Sequence, residues 1–239
     1  MKKNFILLFF LFTIPMFSQN NIYDFYSYKL KIEGNSIKTY SNENNIIFEK
    51  KFFHPKDFIT DLDSDGVKEL VVIDYLEKNR KNFYTLYIYN TIDTFYLADS
   101  IYSGIIKPYG VFSEDVDGIV YVTGDTRFEN LNQDSTIFIL PVNCWKFVDG
   151  EVFLANASVY DVFSNENNLI LQALDDYYLS DGKTCNTTRR VLAFIASGFI
   201  NYYNSGEQTV ADKFLKKYYL CNNYEEFKSS LLKIFNNLN

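Results

Sequence analysis

A single histidine and three cysteines among 239 residues are too few to build a zinc site of ordinary composition. Glycine and proline are scarce as well, at 10 and 4, which excludes a collagen-like or linker-dominated chain. Positive charge is in deficit: 23 lysines and arginines stand against 30 aspartates and glutamates, a net of −7. Such a balance offers little to neutralise phosphates, so no nucleic-acid partner is expected. No Gly-rich phosphate loop, Gly-x-Ser-x-Gly elbow or His-Glu-x-x-His segment is present. Apolar runs of membrane-spanning length are missing too. The longest, Phe5 to Phe17, has about 13 residues where a bilayer takes ~20.

That short run has a context. Lys2 and Lys3 precede it and the small Ser18 follows it. Charged start, apolar middle and small residue are the parts of a secretory signal. Residues 1–18 are therefore read as a signal peptide, with the mature chain starting at Gln19. No cysteine follows the run, so a lipid anchor is not expected. Loss of Lys2 and Lys3 takes the net charge from −7 to −9. The expected product is exported, periplasmic or extracellular, with no stable membrane insertion after cleavage.

Aromatic residues are abundant, at 18%, with 20 tyrosines and 23 phenylalanines. Up to about residue 160 they fall in short strand-like stretches. Tyr26, Tyr28, Leu30 and Ile32 alternate with polar residues, the mark of a half-buried strand. Gly34-Asn35 turns the chain into Ser36 to Tyr40, a hairpin. Ile46 to Phe53, Leu70 to Tyr75, Tyr84 to Tyr89, Thr94 to Ile101 and Ile119 to Val122 continue the series. Ile137 to Val142, Trp145 to Val148 and, after Asp149-Gly150, Val152 to Leu154 complete it. Beyond residue 160 the period becomes helical. Leu171, Leu174 and Tyr178 form one stripe; Leu192, Ile195, Phe199 and Tyr202 a second; Phe214, Leu215 and Tyr218 a third; Phe227, Leu231, Ile234 and Phe235 a fourth. Thr209 with Asp212, and Asn223 with Glu226, read as capping boxes, and Gly206 as a helix stop. The expected fold class is α+β: a β domain over residues 19–160, propeller-like or sandwich-like, then a region of about four helices over 161–239.

One stretch carries chemistry. It reads Asp61-Leu62-Asp63-Ser64-Asp65-Gly66-Val67-Lys68-Glu69. Carboxylates at the first, third and fifth places of a tight loop converge on one point. A hard cation such as Ca2+, which takes 6–8 oxygens, suits such a cluster. Gly66 permits the sharp turn, Val67 would offer its carbonyl, and Glu69 can close the shell. Lys68 should point outward. An EF-hand would need a glutamate where Val72 stands, and the residues after the loop read as a strand.

With the strand-forming Tyr84-Thr85-Leu86-Tyr87-Ile88-Tyr89-Asn90 that follows, this loop resembles the FG-GAP or VCBS-type calcium-binding repeat, over residues from about 57 to 101. The resemblance implies ion ligands at Asp61, Asp63, Asp65 and Glu69, with Val67 through its carbonyl. It also implies a place among adhesion and ligand-binding ectodomains. A weaker echo, Ser113-Glu114-Asp115-Val116-Asp117-Gly118-Ile119, has two aspartates and no acidic residue three after its glycine, so no second ion is assigned there. Two or three such units cannot close a propeller, which takes 4–8 blades, so an open arrangement is expected.

His54, the only imidazole, precedes Pro55 without a nucleophile's context and reads as structural. Exported proteins keep disulfides. Cys185 precedes the second expected helix and Cys221 follows the third, so an antiparallel hairpin of the two would bring the thiols together. Cys144, beside Trp145, reads as a buried free thiol. With no catalytic motif, the chain is read as a non-enzyme: an exported binding protein with one Ca2+-stabilised loop, recognising a protein or glycan partner. An inhibitor or immunity protein falls within that class. The alternative is a secreted carboxylate-dependent hydrolase, which needs two acidic residues facing one cleft.

Overall fold

Period-two burial organises the first sheet. The computed structural model describes residues 21–25, 27–91, 94–131 and 139–236; the stretch expected to be a signal peptide, Tyr26, Asp93 and Ile137 lie outside them. Strands β1 (Asn21–Asp24), β2 (Tyr28–Glu33), β3 (Ser36–Ser41) and β4 (Ile46–Lys51) pair in chain order. Tyr28, Leu30 and Ile32 of β2 are buried with Ile37 and Thr39 of β3. Gly34, at φ +57°, makes the tight link between paired Glu33 and Ser36, a conformation glycine adopts without cost. These strands form one compact unit ending at Lys51, and Phe52 onward forms another.

The second unit holds two further antiparallel sheets and four helices among the described residues. One sheet is β5 (Lys56–Thr60), β6 (Glu69–Lys78), β7 (Lys81–Asn90) and β8 (Tyr96–Gly104), in that order. The other runs β12 (Glu151–Leu154), β11 (Val142–Val148), β10 (Ile119–Gly124) and β9 (Tyr109–Phe112). Among the described residues no sheet closes on itself, and the fold is α+β, as expected. β10 displays the logic of the layers, because successive side chains point to opposite faces. Tyr121, with Phe147, packs against Val71, Ile73, Leu86 and Ile88 of the neighbouring sheet. Val120 and Val122, with Val142 and Cys144, pack against Val159, Val162 and Phe163. The order of layers is thus sheet, sheet, helices.

The helices are α1 (Tyr160–Asp181), α2 (Arg189–Asn204), α3 (Gln208–Tyr218) and α4 (Tyr224–Asn236). All four expected stripes meet in one core, from Leu174 and Tyr178 through Ile195, Phe199, Phe214 and Leu215 to Leu231. Gly206, at φ +82°, ends α2 in a Schellman motif. Its N–H reaches the Tyr203 carbonyl at 3.1 Å, and the Glu207 N–H reaches that of Tyr202 at 2.8 Å. This closure overturns the capping box at Thr209. The carbonyl of Glu207 already accepts from Val210 and Ala211, so α3 starts two residues early. Glu207 is the N-cap, without a side-chain hydrogen bond.

A disulfide joins Cys185 and Cys221, whose Cα atoms are 4.6 Å apart. It ties the entry of α2 to the exit of α3. Cys144 is free and buried. Two asparagines fasten α2 to β11: Asn201 Oδ1 accepts the Val142 N–H at 2.9 Å, and Asn204 Nδ2 donates to the Val142 carbonyl at 2.8 Å. Asn201→Ala would leave a buried N–H without an acceptor, a loss of about 1–3 kcal/mol. Urea unfolding at equilibrium should register it; an unchanged midpoint would show that the link does not matter.

Candidate metal centre

The chain between β5 and β6 folds around its own carboxylates. Asp61 accepts the Ser64 N–H at 2.7 Å through Oδ1 and the Gly66 N–H at 3.0 Å through Oδ2. Asp65 Oδ1 accepts the Val67 N–H at 2.7 Å. Ser64 and Gly66 take φ of +66° and +90°, which reverses the chain twice in three residues. The result brings carboxylate oxygens of Asp61, Asp63 and Asp65 within 4.8 Å of one another. Three like charges at that spacing repel unless a cation or protons offset them.

Glu69, the fourth expected ligand, opens β6 beside this group. Its side chain is fully buried, and its Oε2 accepts the Leu62 N–H at 2.9 Å. Among the described residues, its Oε1 and Asp63 Oδ1 are buried without a hydrogen-bond partner. Burial pushes the Glu69 carboxyl up to about 7; the Leu62 N–H opposes that rise, and the charges of Asp63 and Asp65 add to it. Val67 is half-buried and Lys68 exposed. The Lys68 carbonyl accepts the Thr91 hydroxyl at 2.5 Å.

Turns of the β9–β12 sheet hold the loop from outside. The Ile119 N–H reaches the Leu62 carbonyl at 2.7 Å. The Asp149 N–H, in the turn between β11 and β12, reaches Asp63 Oδ2 at 3.3 Å. Gly118, at φ +82°, comes so near that a Cβ there would lie 2.2 Å from the Leu62 carbonyl oxygen. Gly118→Ala therefore forces backbone apart in an already left-handed residue and should cost at least ~2 kcal/mol. A melting temperature within a degree of wild type would contradict this contact.

The echo sequence does something else with its carboxylates. Asp115 Oδ2 accepts the Asp161 N–H at 3.1 Å, while Asp161 accepts the Ser113 hydroxyl at 2.6 Å and the Glu114 N–H at 2.9 Å. These bonds anchor the start of α1, where negative charge meets the positive end of the helix. His54 stacks on Tyr75, ring centroids 4.5 Å apart, and its Nδ1 lies 3.2 Å from the Tyr75 carbonyl.

No family model, no curated protein and no solved structure matches this chain. The chemistry of the loop must therefore be argued from its own residues.

Proposed function

We propose that this chain is an exported binding protein in which the loop Asp61–Glu69 takes one Ca2+, as its likeness to the FG-GAP or VCBS-type repeat implies. One observation carries the reading: three aspartates converge within 4.8 Å beside a fully buried glutamate with an unpartnered oxygen. Asp61, Asp63 and Asp65 would supply side-chain oxygens, Glu69 its free Oε1 and Val67 its carbonyl. An all-oxygen set with several carboxylates favours Ca2+ over softer metals. The ion would offset the mutual repulsion of the carboxylates and stiffen the link between β5 and β6. A stiffened β framework then presents its surface to a protein or glycan partner.

The grooves lined by Asp74, Asp176 and Glu166 each carry that single carboxylate. A glycosidase needs two carboxyl groups facing each other across a cleft, so none of these three grooves offers a glycosidase pair. Calorimetric titration with Ca2+ should give one site, lost in Asp63→Ala; a flat titration at millimolar Ca2+ would sink the reading. Export has its own test. Mass spectrometry of the protein recovered outside the cytoplasm should find Gln19 as its first residue. A chain kept inside the cell with Met1 or Lys2 in place would rule out export.

A further inference from the structure

We propose that the groove between β5 and β9 binds an extended, acidic peptide segment of a partner protein by strand addition. Both strands are sheet edges among the described residues: β5 pairs only with β6, and β9 only with β10. An edge leaves a row of N–H and C=O groups without ladder partners, which another strand can satisfy. Here two such edges border one groove of about 480 Å3, which takes in all four residues of β9 and most of β5. Natural edges are commonly short or masked. These are short, at five and four residues, yet they carry apolar rings in the open: Phe58 is 37% exposed and Phe112 80%.

Charge selects the occupant. Lys56 and Lys107 line the groove, and no carboxylate does, on a chain whose net charge is −7. Lys56 Nζ lies 5.1 Å from the centre of the Phe58 ring, so charge and apolar surface are offered together. On an added strand, aspartate or glutamate at every second place faces the lysine, and β-branched residues between them face the apolar groove residues Ile59 and Val111. A sugar would use the rings and the lysines but would leave both backbone edges unanswered.

The groove touches the proposed calcium loop at one end. Thr60, in the groove wall, immediately precedes Asp61, and Ile119, also in the wall, donates its N–H to Leu62. A bound ion would fix the spacing of the two edges there. The peptide site stands without the ion; only its calcium dependence rests on the reading above.

The test uses the mature chain and a fluorescein-labelled hexapeptide of Val-Asp repeats, followed by fluorescence anisotropy in millimolar Ca2+ and in chelator. Three comparisons accompany it: a Val-Lys hexapeptide, the Val-Asp peptide N-methylated at each valine, and a galacturonate trisaccharide as competitor. The Val-Asp peptide should bind at least tenfold more tightly than the Val-Lys peptide. N-methylation should abolish binding, Lys56→Glu with Lys107→Glu should reverse the charge preference, and Phe112→Ala should weaken binding severalfold. These side chains are on the surface, so the variants should melt as wild type does. Absence of saturable peptide binding overturns the proposal, as does binding indifferent to N-methylation. Competition by the sugar with no peptide binding assigns the groove to a glycan. A dimer in sedimentation, broken by the double charge reversal, assigns it to a second copy of the chain. Peptide binding equal in Ca2+ and chelator upholds the strand site and removes the ion's part in it. A lost peptide signal beside a retained Ca2+ titration sinks the groove alone.

Discussion

Ca2+ at about 10 mM is expected to raise the melting temperature of the protein by roughly 3–10 °C. The size follows from mass action. An extracellular site with Kd on the order of 10⁻⁴–10⁻³ M, given ion in excess, stabilises by about 1.5–3 kcal/mol. In a chain of this size each kcal/mol moves the midpoint by roughly 2–4 °C. Mg2+ should do less, since it demands a tighter octahedral shell and gives up its waters reluctantly. Asp63→Ala should erase the Ca2+ response. It should leave the calcium-free protein little changed, because it also relieves repulsion among the three carboxylates. Glu69 adds a pH signature. Its folded carboxyl is raised to about 7 from an ordinary 4.5, first by burial and then by Asp63 and Asp65. A raised carboxyl means that the protonated form fits the fold better. The stability it contributes is complete below pH 4.5 and is lost as pH climbs through about 7, on the order of 3 kcal/mol in all. In chelator the protein should therefore melt lower at pH 8 than at pH 5. Ca2+ competes with that proton, so its stabilising effect should grow over the same interval. Glu69→Gln keeps an acceptor for the Leu62 N–H and removes the charge, so it should flatten the pH dependence and reduce the Ca2+ response together. A melting temperature blind to both Ca2+ and pH would leave the loop as a polar turn.

Reduction of the Cys185–Cys221 bond should cost about 4 kcal/mol by loop-closure entropy for its sequence separation of 36, and so lower the melting temperature by roughly 8–16 °C. Cys185 is exposed and Cys221 is buried, so a water-soluble phosphine can start from one side without prior unfolding. The helical core should loosen first, because the bond closes the ends of α2 and α3. Cys144 serves as an internal reference. It is fully buried and its thiol is pushed up by desolvation, so it should resist alkylation in the native protein with or without reductant. Non-reducing peptide maps that find Cys185 and Cys221 both alkylated, or melting curves unmoved by the phosphine, would contradict the bond.

The helices were legible because three of the four stripes repeat over two turns or more and all four end in one core. β2 and β7 are legible at period two, whereas β6 is legible as a β-branched run, Leu70 to Tyr75, of which all but the last residue are buried. β5 and β9 were not. Phe58 and Phe112 are among the most apolar residues of those segments and both face outward, so neither segment shows the alternation of a buried face. The sequence pattern splits β11 in two, with a break at Asn143 and Cys144, yet the strand runs unbroken from Val142 to Val148. Asn143 survives inside it by accepting from Asn156 Nδ2 at 3.1 Å, a partner the strand pattern does not announce. The aspartate spacing predicted the convergence in the loop. What holds that convergence lies far away in the chain: Asp149 meets Asp63 across 86 residues, and Gly118 meets Leu62. Such contacts leave no local signal. The division between Lys51 and Phe52 has none either, because it falls within a stretch that reads as one strand.

Each of the three sheets pairs its strands in chain order, and this bears on how fast the protein can fold. Nearest-neighbour hairpins keep the sequence separation of pairing residues small, and topologies of that kind fold faster than sandwiches built from distant pairings. Each sheet can zip up once its own four strands are available, whatever the state of the rest. The slow step should then be the docking of finished layers, where Leu62 meets Ile119 and Val142 meets Asn201. Stopped-flow refolding should show fast secondary structure followed by a slower burial of Trp145, the single tryptophan, whose indole N–H reaches Thr123 across two paired strands.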